Sequence, residues 1–89
     1  MQHSVSNVKI STSNSILGVT VTAIYTFCYK FDGEEEQTEQ NSCSILFAGT
    51  PLLICRKSMT KIDMPERFGK WETLADKKKY VRAFISSEV

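Results

Sequence analysis

The sequence predicts an α+β fold, in which an antiparallel sheet of three or four strands packs against one C-terminal helix. The first observation is the run from Leu17 to Phe31, whose odd positions are apolar or aromatic and whose even positions are mostly small or polar. A period of two is typical of a strand with one buried face, because successive side chains point to opposite sides of the pleat. The second observation is a segment from about Thr73 to Ser87 with apolar residues at helical spacing. The 89 residues are enough for a single domain, 1–89.

Shorter patterns predict the other strands. Val5–Ser11 alternates weakly and predicts a first strand, which a turn rich in serine joins to the long run. The polar segment Gly33–Asn41 predicts either a solvated hairpin loop or a ragged extension of the strands with a mobile tip. Two more apolar runs, 42–48 and 52–57, lie on either side of Gly49–Pro51. A turn there gives four strands, and a bulge gives three, the last one long and bent.

The C-terminal third predicts two helical segments. Asp63–Gly69 is typical of one helical turn that Asp63 caps and Gly69 ends. Thr73 is expected to open the main helix, with Asp76 completing a capping box. The face that is expected to pack on the sheet consists of Leu74, Val81, Phe84 and Ile85, with Tyr80 at its edge.

Two features do not fit a monomer with one covering helix. Lys77 lies within the apolar arc of the helix, so its side chain must extend past Trp71 or Tyr80, or the arc is not fully buried in a monomer. The region Ser42–Lys57 is apolar on both faces of the predicted strands, whereas one helix covers only one face. We therefore expect another surface to cover the second face, and a homodimer is the simplest arrangement.

Composition and charge limit the class of protein. A hydrophobic content of 42% and a charged content of 24% are typical of a folded, soluble chain. The chain has no apolar run that spans a membrane and no N-terminal signal pattern, so we expect a cytoplasmic protein.

The spacings of Cys28, Cys43 and Cys55 fit neither paired disulfides nor a zinc site and predict thiols. Two lysines against five acidic residues give residues 1–50 a charge of −3, and nine basic against five acidic residues give 51–89 a charge of +4.

The sequence offers no set of side chains from which a reaction could be argued. The single histidine, His3, lies in a segment that is expected to be a loose terminus. The acidic residues concentrate in Glu34–Glu39, where a solvated loop is expected, and the four glycines are too scattered to form a phosphate-binding loop. We therefore expect no catalytic residues, no metal site, no cofactor and no enzymatic activity.

The candidate partner-binding residues are charged and aromatic side chains in two groups. The first group belongs to the C-terminal third and consists of Arg67, Lys70, Trp71, Lys78, Lys79 and Arg82. The second group is acidic and consists of Glu34, Glu35 and Glu36. Because tryptophan, tyrosine and arginine are favoured anchors of protein interfaces, our hypothesis is a protein-binding module that occludes or bridges a larger partner.

In size and organisation the chain resembles the small stand-alone inhibitors that phages and other mobile elements encode against host defence enzymes. That resemblance implies a host protein or complex as the partner. The alternative hypothesis is a small nucleic-acid-binding or regulatory protein that uses the basic stripe Lys78, Lys79 and Arg82. The isoelectric point near 7.7 lies below the value above about 9 that is usual for a nucleic-acid-binding domain, which favours the protein partner.

Overall fold

The sheet is antiparallel and contains five strands in the part of the chain that the structure describes. That structure is a computed structural model, which describes residues 2–55 and 58–88. The strands lie side by side in chain order. The elements are β1 (Gln2–Ser15), β2 (Gly18–Lys30), β3 (Gln37–Ala48), β4 (Thr50–Cys55), β5 (Ser58–Lys61), a 3₁₀ helix (Pro65–Phe68) and α1 (Leu74–Glu88). The predicted α+β class is confirmed, with more strands than the expected three or four.

The additional strand is β5, which pairs antiparallel with β4. It has only four residues, and all of them are exposed, so no burial pattern in the sequence could reveal it. At Gly49 the chain makes a turn and not a bulge, since Phe47 pairs with Pro51 on the returning strand. Of the two predicted alternatives, the turn is therefore correct. Arg56 and Lys57, which belonged to the predicted run 52–57, lie outside the described residues.

β1 is longer than the predicted strand Val5–Ser11. It runs from Gln2 to Ser15 and pairs with β2 along most of this length, so the prediction of a loose N-terminus is wrong. Most of its side chains are exposed, whereas Val5, Val8 and Ile10 pack against the core. Backbone hydrogen bonds to β2 hold the remaining length of this edge strand. The turn that follows consists of Ile16 and Leu17, where the Leu17 amide donates to Ser15 Oγ over 3.2 Å. β2 therefore begins at Gly18.

Of the two predicted alternatives for the polar segment Gly33–Asn41, the extension of the strands is correct, because residues 37–41 belong to β3 and only 33–36 form the tip. Gln37 pairs with Tyr29 and Asn41 pairs with Tyr25, so β3 extends far along β2. The turn between them is short, and the Glu34 amide donates to the Phe31 carbonyl over 3.0 Å. Polar side chains are compatible with this pairing, because the hydrogen bonds between the strands satisfy the backbone N–H and C=O groups and leave the side chains in solvent.

The core lies between α1 and one face of the sheet, and Tyr80 is at its centre. The Tyr80 side chain is completely buried, and its hydroxyl donates to the Pro65 carbonyl over 2.7 Å. Its ring packs edge-on against Phe47, Phe68 and Trp71 at centroid distances of 5.4, 5.5 and 5.8 Å. Tyr80 was predicted at the edge of the helix face. This is wrong, because the segment before α1 folds back and packs its rings around the tyrosine.

The predicted start of α1 is confirmed, and for the 3₁₀ helix the predicted end at Gly69 is confirmed but the predicted cap is not. The Asp76 amide donates to Thr73 Oγ1 over 3.0 Å, and the Thr73 amide donates to Asp76 Oδ2 over 3.3 Å. This reciprocal pair is the predicted capping box. The 3₁₀ helix has no side-chain cap, so the predicted role of Asp63 is wrong, and Met64 stands at the N-cap with a φ of 52°.

Two further expectations about α1 have opposite outcomes. Leu74 is 48% exposed, so it does not belong to the buried face that was predicted for it. Lys77 does extend along the edge of the apolar arc, where its Nζ donates to the Glu72 carbonyl over 3.3 Å and lies 5.9 Å from the centre of the Phe47 ring. The aliphatic part of Lys77 thus covers apolar surface while its ammonium reaches a polar partner.

Burial of Tyr80 predicts a loss of stability in alkali. Desolvation, together with the charge of Glu66, raises the pKa of Tyr80 from 10.0 to about 12. Between these two pH values the unfolded chain releases a proton that the folded chain keeps, so the free energy of unfolding decreases as the pH rises. We expect urea unfolding to show this decrease in the wild type and a smaller one in Tyr80→Phe. Equal slopes for the two proteins between pH 10 and 12 would show that Tyr80 ionises freely in the folded state.

Candidate protein-interaction surface

α1 is too short to cover the whole length of the sheet. Its 15 residues span about 22 Å, whereas the 13 residues of β2 span about 43 Å. The residues just before α1 are fixed at one end of the sheet, where Trp71 Nε1 donates to the Gly49 carbonyl over 3.2 Å. Tyr25 is the last residue of β2 that packs against the core. The outer part of the β2–β3 hairpin therefore extends beyond the helix.

This uncovered part carries a row of aromatic rings on the helix side of the sheet. The rings of His3 and Phe27 are 6.2 Å apart, those of Phe27 and Tyr29 are 5.7 Å apart and stacked, and those of Tyr29 and Phe31 are 5.9 Å apart and edge-on. We call these four residues the aromatic ladder. Phe31 is 47% exposed, Phe27 and Tyr29 are half-buried, and His3 is exposed. The alternation of β2 and its pairing with β1 place His3, Phe27 and Tyr29 on one face, and the Phe31 ring contacts Tyr29 directly after the end of β2.

Acidic side chains surround the aromatic ladder. The turn between β2 and β3 carries Glu34, Glu35 and Glu36, which we call the acidic turn, and all three are exposed. Glu39 is paired with Phe27 across the hairpin, and Tyr29 Oη donates to Glu39 Oε1 over 3.5 Å. An open groove of about 410 Å³ at this end of the sheet includes His3, Tyr29 and Glu36 in its lining. Aromatic rings and carboxylates are therefore presented together at the surface.

The basic and aromatic residues of the C-terminal third do not form one site. Arg67 donates from Nη2 to Ser87 Oγ over 2.8 Å, and its guanidinium lies 5.0 Å from the centre of the Phe68 ring, so it fixes the 3₁₀ helix to α1. Trp71 is half-buried against Tyr80. These two residues stabilise the fold, whereas Lys70 is exposed beside Trp71 at an open groove of about 440 Å³.

Lys78, Lys79 and Arg82 do lie together. All three are exposed on α1, while Tyr80 and Val81 between them are buried against the sheet. The predicted basic stripe is therefore present on the outer face of the helix. The acidic turn is elsewhere, because it follows β2 at Lys30, whereas the segment before α1 is fixed beside Gly49 at the opposite end of the β2–β3 pair. The predicted partner-binding residues thus belong to two separate surfaces.

The aromatic ladder was missed by sequence reasoning. Phe27, Tyr29 and Phe31 were assigned to the buried face of the long strand together with the other odd positions. The signal that could have found them is a comparison of lengths, because a helix of about 15 residues cannot cover a strand of about 13 residues from end to end.

Metal-binding clusters, disulfides and membrane-spanning helices are absent from the part of the chain that the structure describes. Within residues 2–55 and 58–88, no three His, Cys, Asp or Glu side chains come close enough to hold a metal ion. His3 and Cys28 point to opposite faces of the sheet, since His3 pairs with Tyr29 and Cys28 pairs with Ser4. Cys28, Cys43 and Cys55 form no disulfide, in agreement with the prediction of thiols. Among the described residues, no helix is both long enough and apolar enough to cross a membrane.

Comparison with known proteins gives no relative. The chain matches no protein-family model, no curated protein and no solved structure.

Proposed function

We propose that this protein is a non-enzymatic protein-binding module whose contact surface consists of the aromatic ladder and the acidic turn. The observation that carries the proposal is the row of rings from His3 to Phe31, which starts beside the end of α1, where His3 and Ser86 line one small groove, and extends beyond the helix. A small soluble domain gains stability by covering such rings. Here the fold positions them at the surface, as protein interfaces require of their anchors.

The ladder is preorganised for binding. Its central residues, Phe27 and Tyr29, lie within β2 and are paired on both sides, with β1 and with β3. The neighbouring rings restrict one another at centroid distances of 5.7 to 6.2 Å. Binding therefore does not have to immobilise these side chains from a flexible loop, which reduces the entropic cost of forming a complex.

The charges around the ladder favour a partner with a basic surface. Every charged residue between Phe31 and Asn41 is acidic, and Glu39 lies directly beside the rings. Arginine and lysine side chains pair with carboxylates and also lie over aromatic faces. Complementary charge of this kind accelerates association and fixes the orientation of the complex.

We infer that binding acts by occlusion or bridging of a larger protein. The chain extends to 49 Å in its longest dimension, which is enough to block a cleft or span two subunits. The resemblance in size and organisation to phage and mobile-element inhibitors favours a host defence enzyme or complex as the partner. A protein that acts by this mechanism blocks or links its partner sterically and needs no catalytic activity.

One observation favours the alternative of nucleic-acid binding. Lys78, Lys79 and Arg82 are all exposed on the outer face of α1 and form a positive stripe. Phosphate binding by such a stripe would weaken steeply with salt, because counterions are released on association. Binding through the aromatic ladder would weaken less, since burial of apolar surface contributes independently of salt.

The proposal is tested by matched changes at two exposed apolar residues. The protein is used to capture partners from cells of its native host, and the purified partner is then titrated with each variant. Phe31, which is 47% exposed, is changed to serine on the ladder, and Leu74, which is 48% exposed, is changed to serine on the helix. We expect Phe31→Ser to raise the Kd about tenfold, which corresponds to about 1.4 kcal/mol, and Leu74→Ser to leave it unchanged.

Two further variants test which charged residues contribute to binding. A triple change of the acidic turn to glutamine should slow association with a basic partner, whereas Lys78→Glu with Arg82→Glu should have little effect on it. Equal Kd values for the wild type and Phe31→Ser would contradict the proposed surface. Retention on DNA or RNA at low salt that disappears in the Lys78→Glu, Arg82→Glu protein would establish the alternative function instead.

A further inference from the structure

Two of the three cysteines lie on neighbouring strands, Cys43 on β3 and Cys55 on β4. In the register of this antiparallel pair, Ser44 lies opposite Ile54. The next residue along each strand, away from the turn at Gly49, is a cysteine. The register of the two strands therefore places Cys43 opposite Cys55, a relationship that their spacing in the sequence does not reveal.

Both cysteine side chains project from the face of the sheet that α1 covers. Cys43 packs against the core, and so does Leu53, which precedes Cys55 by two positions on β4. Because side chains alternate along a strand, Cys55 shares the face of Leu53. The two sulfur atoms are therefore on the same side of the sheet, where Cys43 is half-buried and Cys55 is exposed.

The two cysteines occupy a position in the β3–β4 pair at which opposite side chains come closest. Opposite residues of an antiparallel pair alternate between those that exchange backbone hydrogen bonds and those that do not, and side chains of the second kind are closer. Pro51 has no N–H to donate to β3, so its pair with Phe47 is of the second kind. Every second pair from there is of the same kind, and Cys43 opposite Cys55 is one of them.

The β2–β3 pair agrees with this assignment. Thr22 Oγ1 and Ser44 Oγ are hydrogen-bonded over 2.9 Å, as the closer side chains of a pair without backbone hydrogen bonds allow. The backbone of Ser44 then bonds to β4 instead, because the N–H and C=O of a strand residue point to the same side. Ser44 and Ile54 thus exchange backbone hydrogen bonds, and the adjacent cysteine pair does not.

This position satisfies the geometry of a disulfide. Opposite residues without backbone hydrogen bonds have Cα atoms about 4.5 Å apart, within the range of roughly 4.4–6.8 Å that disulfides span. The structure holds both residues as thiols. We propose that Cys43 and Cys55 form a redox-responsive disulfide between β3 and β4, with glutathione disulfide as the oxidant.

The exposure of Cys55 and the partial burial of Cys43 set the order of the two exchange steps. The Cys55 thiolate attacks one sulfur of glutathione disulfide and releases a glutathione thiolate, which leaves a mixed disulfide on Cys55. The Cys43 thiolate then attacks Sγ of Cys55, forms the bond between the strands and releases the second glutathione thiolate. The two cysteines are oxidised by two electrons, their two protons pass to the glutathione thiolates, and glutathione disulfide is reduced to two glutathione molecules.

Oxidation is expected to stabilise the fold. The bond closes a loop from Cys43 to Cys55 in the unfolded chain and so restricts the unfolded ensemble, while the native register already holds the two residues opposite each other. For a loop of this size in a domain of this size, we expect the Tm to rise by about 10 °C.

Cys28 provides the matched control. It pairs with Ser4 and with Thr38, so neither strand beside β2 places a thiol opposite it. It also lies on the other face of the sheet from Cys43, because Cys43 pairs with Ala23 and side chains alternate along β2. Cys28→Ser should therefore leave formation of the disulfide unchanged.

The test is incubation of the reduced full chain with glutathione disulfide, followed by intact mass spectrometry and thermal unfolding. We expect the wild type to lose two hydrogen atoms, to retain one of its three thiols and to show the higher Tm. Chymotryptic cleavage at Phe47 separates the two cysteines, so a linked pair of peptides identifies the bond. Cys28→Ser should behave as the wild type does, whereas Cys55→Ser should show neither the bond nor the rise in Tm.

Two variants keep the test independent of folding. Cys55→Ser changes an exposed side chain, and circular dichroism of the reduced proteins checks that it folds. Cys43→Ser should accumulate glutathione on Cys55, because no second thiol displaces it. A wild type that likewise keeps glutathione on Cys55, or that retains all three thiols, would overturn the proposal. A disulfide that includes Cys28, or one that joins two chains, would overturn it as well.

Discussion

Phe84→Ala is expected to remove most of the stability of this protein. Phe84 is 8% exposed in the core between α1 and the sheet, and its ring packs edge-on against Phe68 at 5.2 Å. Truncating a buried phenylalanine costs about 3–5 kcal/mol, through lost transfer free energy and the cavity that remains. A domain of this size has a total of about 5–10 kcal/mol to lose. We therefore expect the variant to be unfolded or nearly so at room temperature.

Phe31→Ala is the matched control for this change. It deletes the same side chain at a position that is 47% exposed, so it should change the free energy of unfolding by less than about 1 kcal/mol. Both free energies can be measured by urea unfolding with Trp71 fluorescence, because Trp71 contacts Tyr80 in the core. Equal losses in the two variants would mean that α1 does not pack on the sheet in solution.

The features that the sequence predicts correctly are those with a local chemical cause. The start of α1 is one of them, because the side chains of Thr73 and Asp76 bind the amides at the end of the helix itself. The long strand is another, since its alternation reflects a buried face that extends over many residues. Such signals can be read from neighbouring positions without knowledge of the remaining chain.

The features that the sequence does not predict depend on residues far apart in the chain. β5 exists because β4 offers an edge on which Ser58–Lys61 pairs, although its own side chains are all exposed. Gln37–Asn41 is strand because β2 extends alongside it, and polar composition alone did not decide between a loop and an extension of the strands. Backbone pairing with a neighbour decides both cases, and it leaves no apolar pattern in the paired segment.

The candidate site was predicted in part for the same reason. Exposure of Lys78, Lys79 and Arg82 follows from the helical period, which the sequence contains. Exposure of Phe27, Tyr29 and Phe31 follows from where α1 ends relative to β2, which is a tertiary relationship. The packing roles of Arg67 and Trp71 also required the structure, because their partners Ser87 and Gly49 are distant in sequence.

Gly18→Ala is expected to have the second large effect on stability. Gly18 begins β2 with a φ of +147°, a conformation that residues with a side chain rarely adopt. A Cβ at this position would also collide with the carbonyl oxygen of Phe47, on the paired strand β3. Because that atom is backbone, it cannot rotate away, and the start of β2 would have to shift from β3. We expect a loss of about 3 kcal/mol or more in the free energy of unfolding.

Gly33→Ala is the control variant for that loss. Gly33 also has a positive φ, of +79°, but a Cβ there would meet nothing within 4 Å. Its replacement should therefore cost only the backbone strain, about 1 kcal/mol. The difference between the two variants, measured by urea unfolding, contains the close approach of β2 to β3 beside Phe47 and the greater strain of a φ of +147°. A difference near zero would show that the start of β2 can move away from β3 without loss. In that case the first hairpin would be less firmly attached to the sheet than its pairing implies.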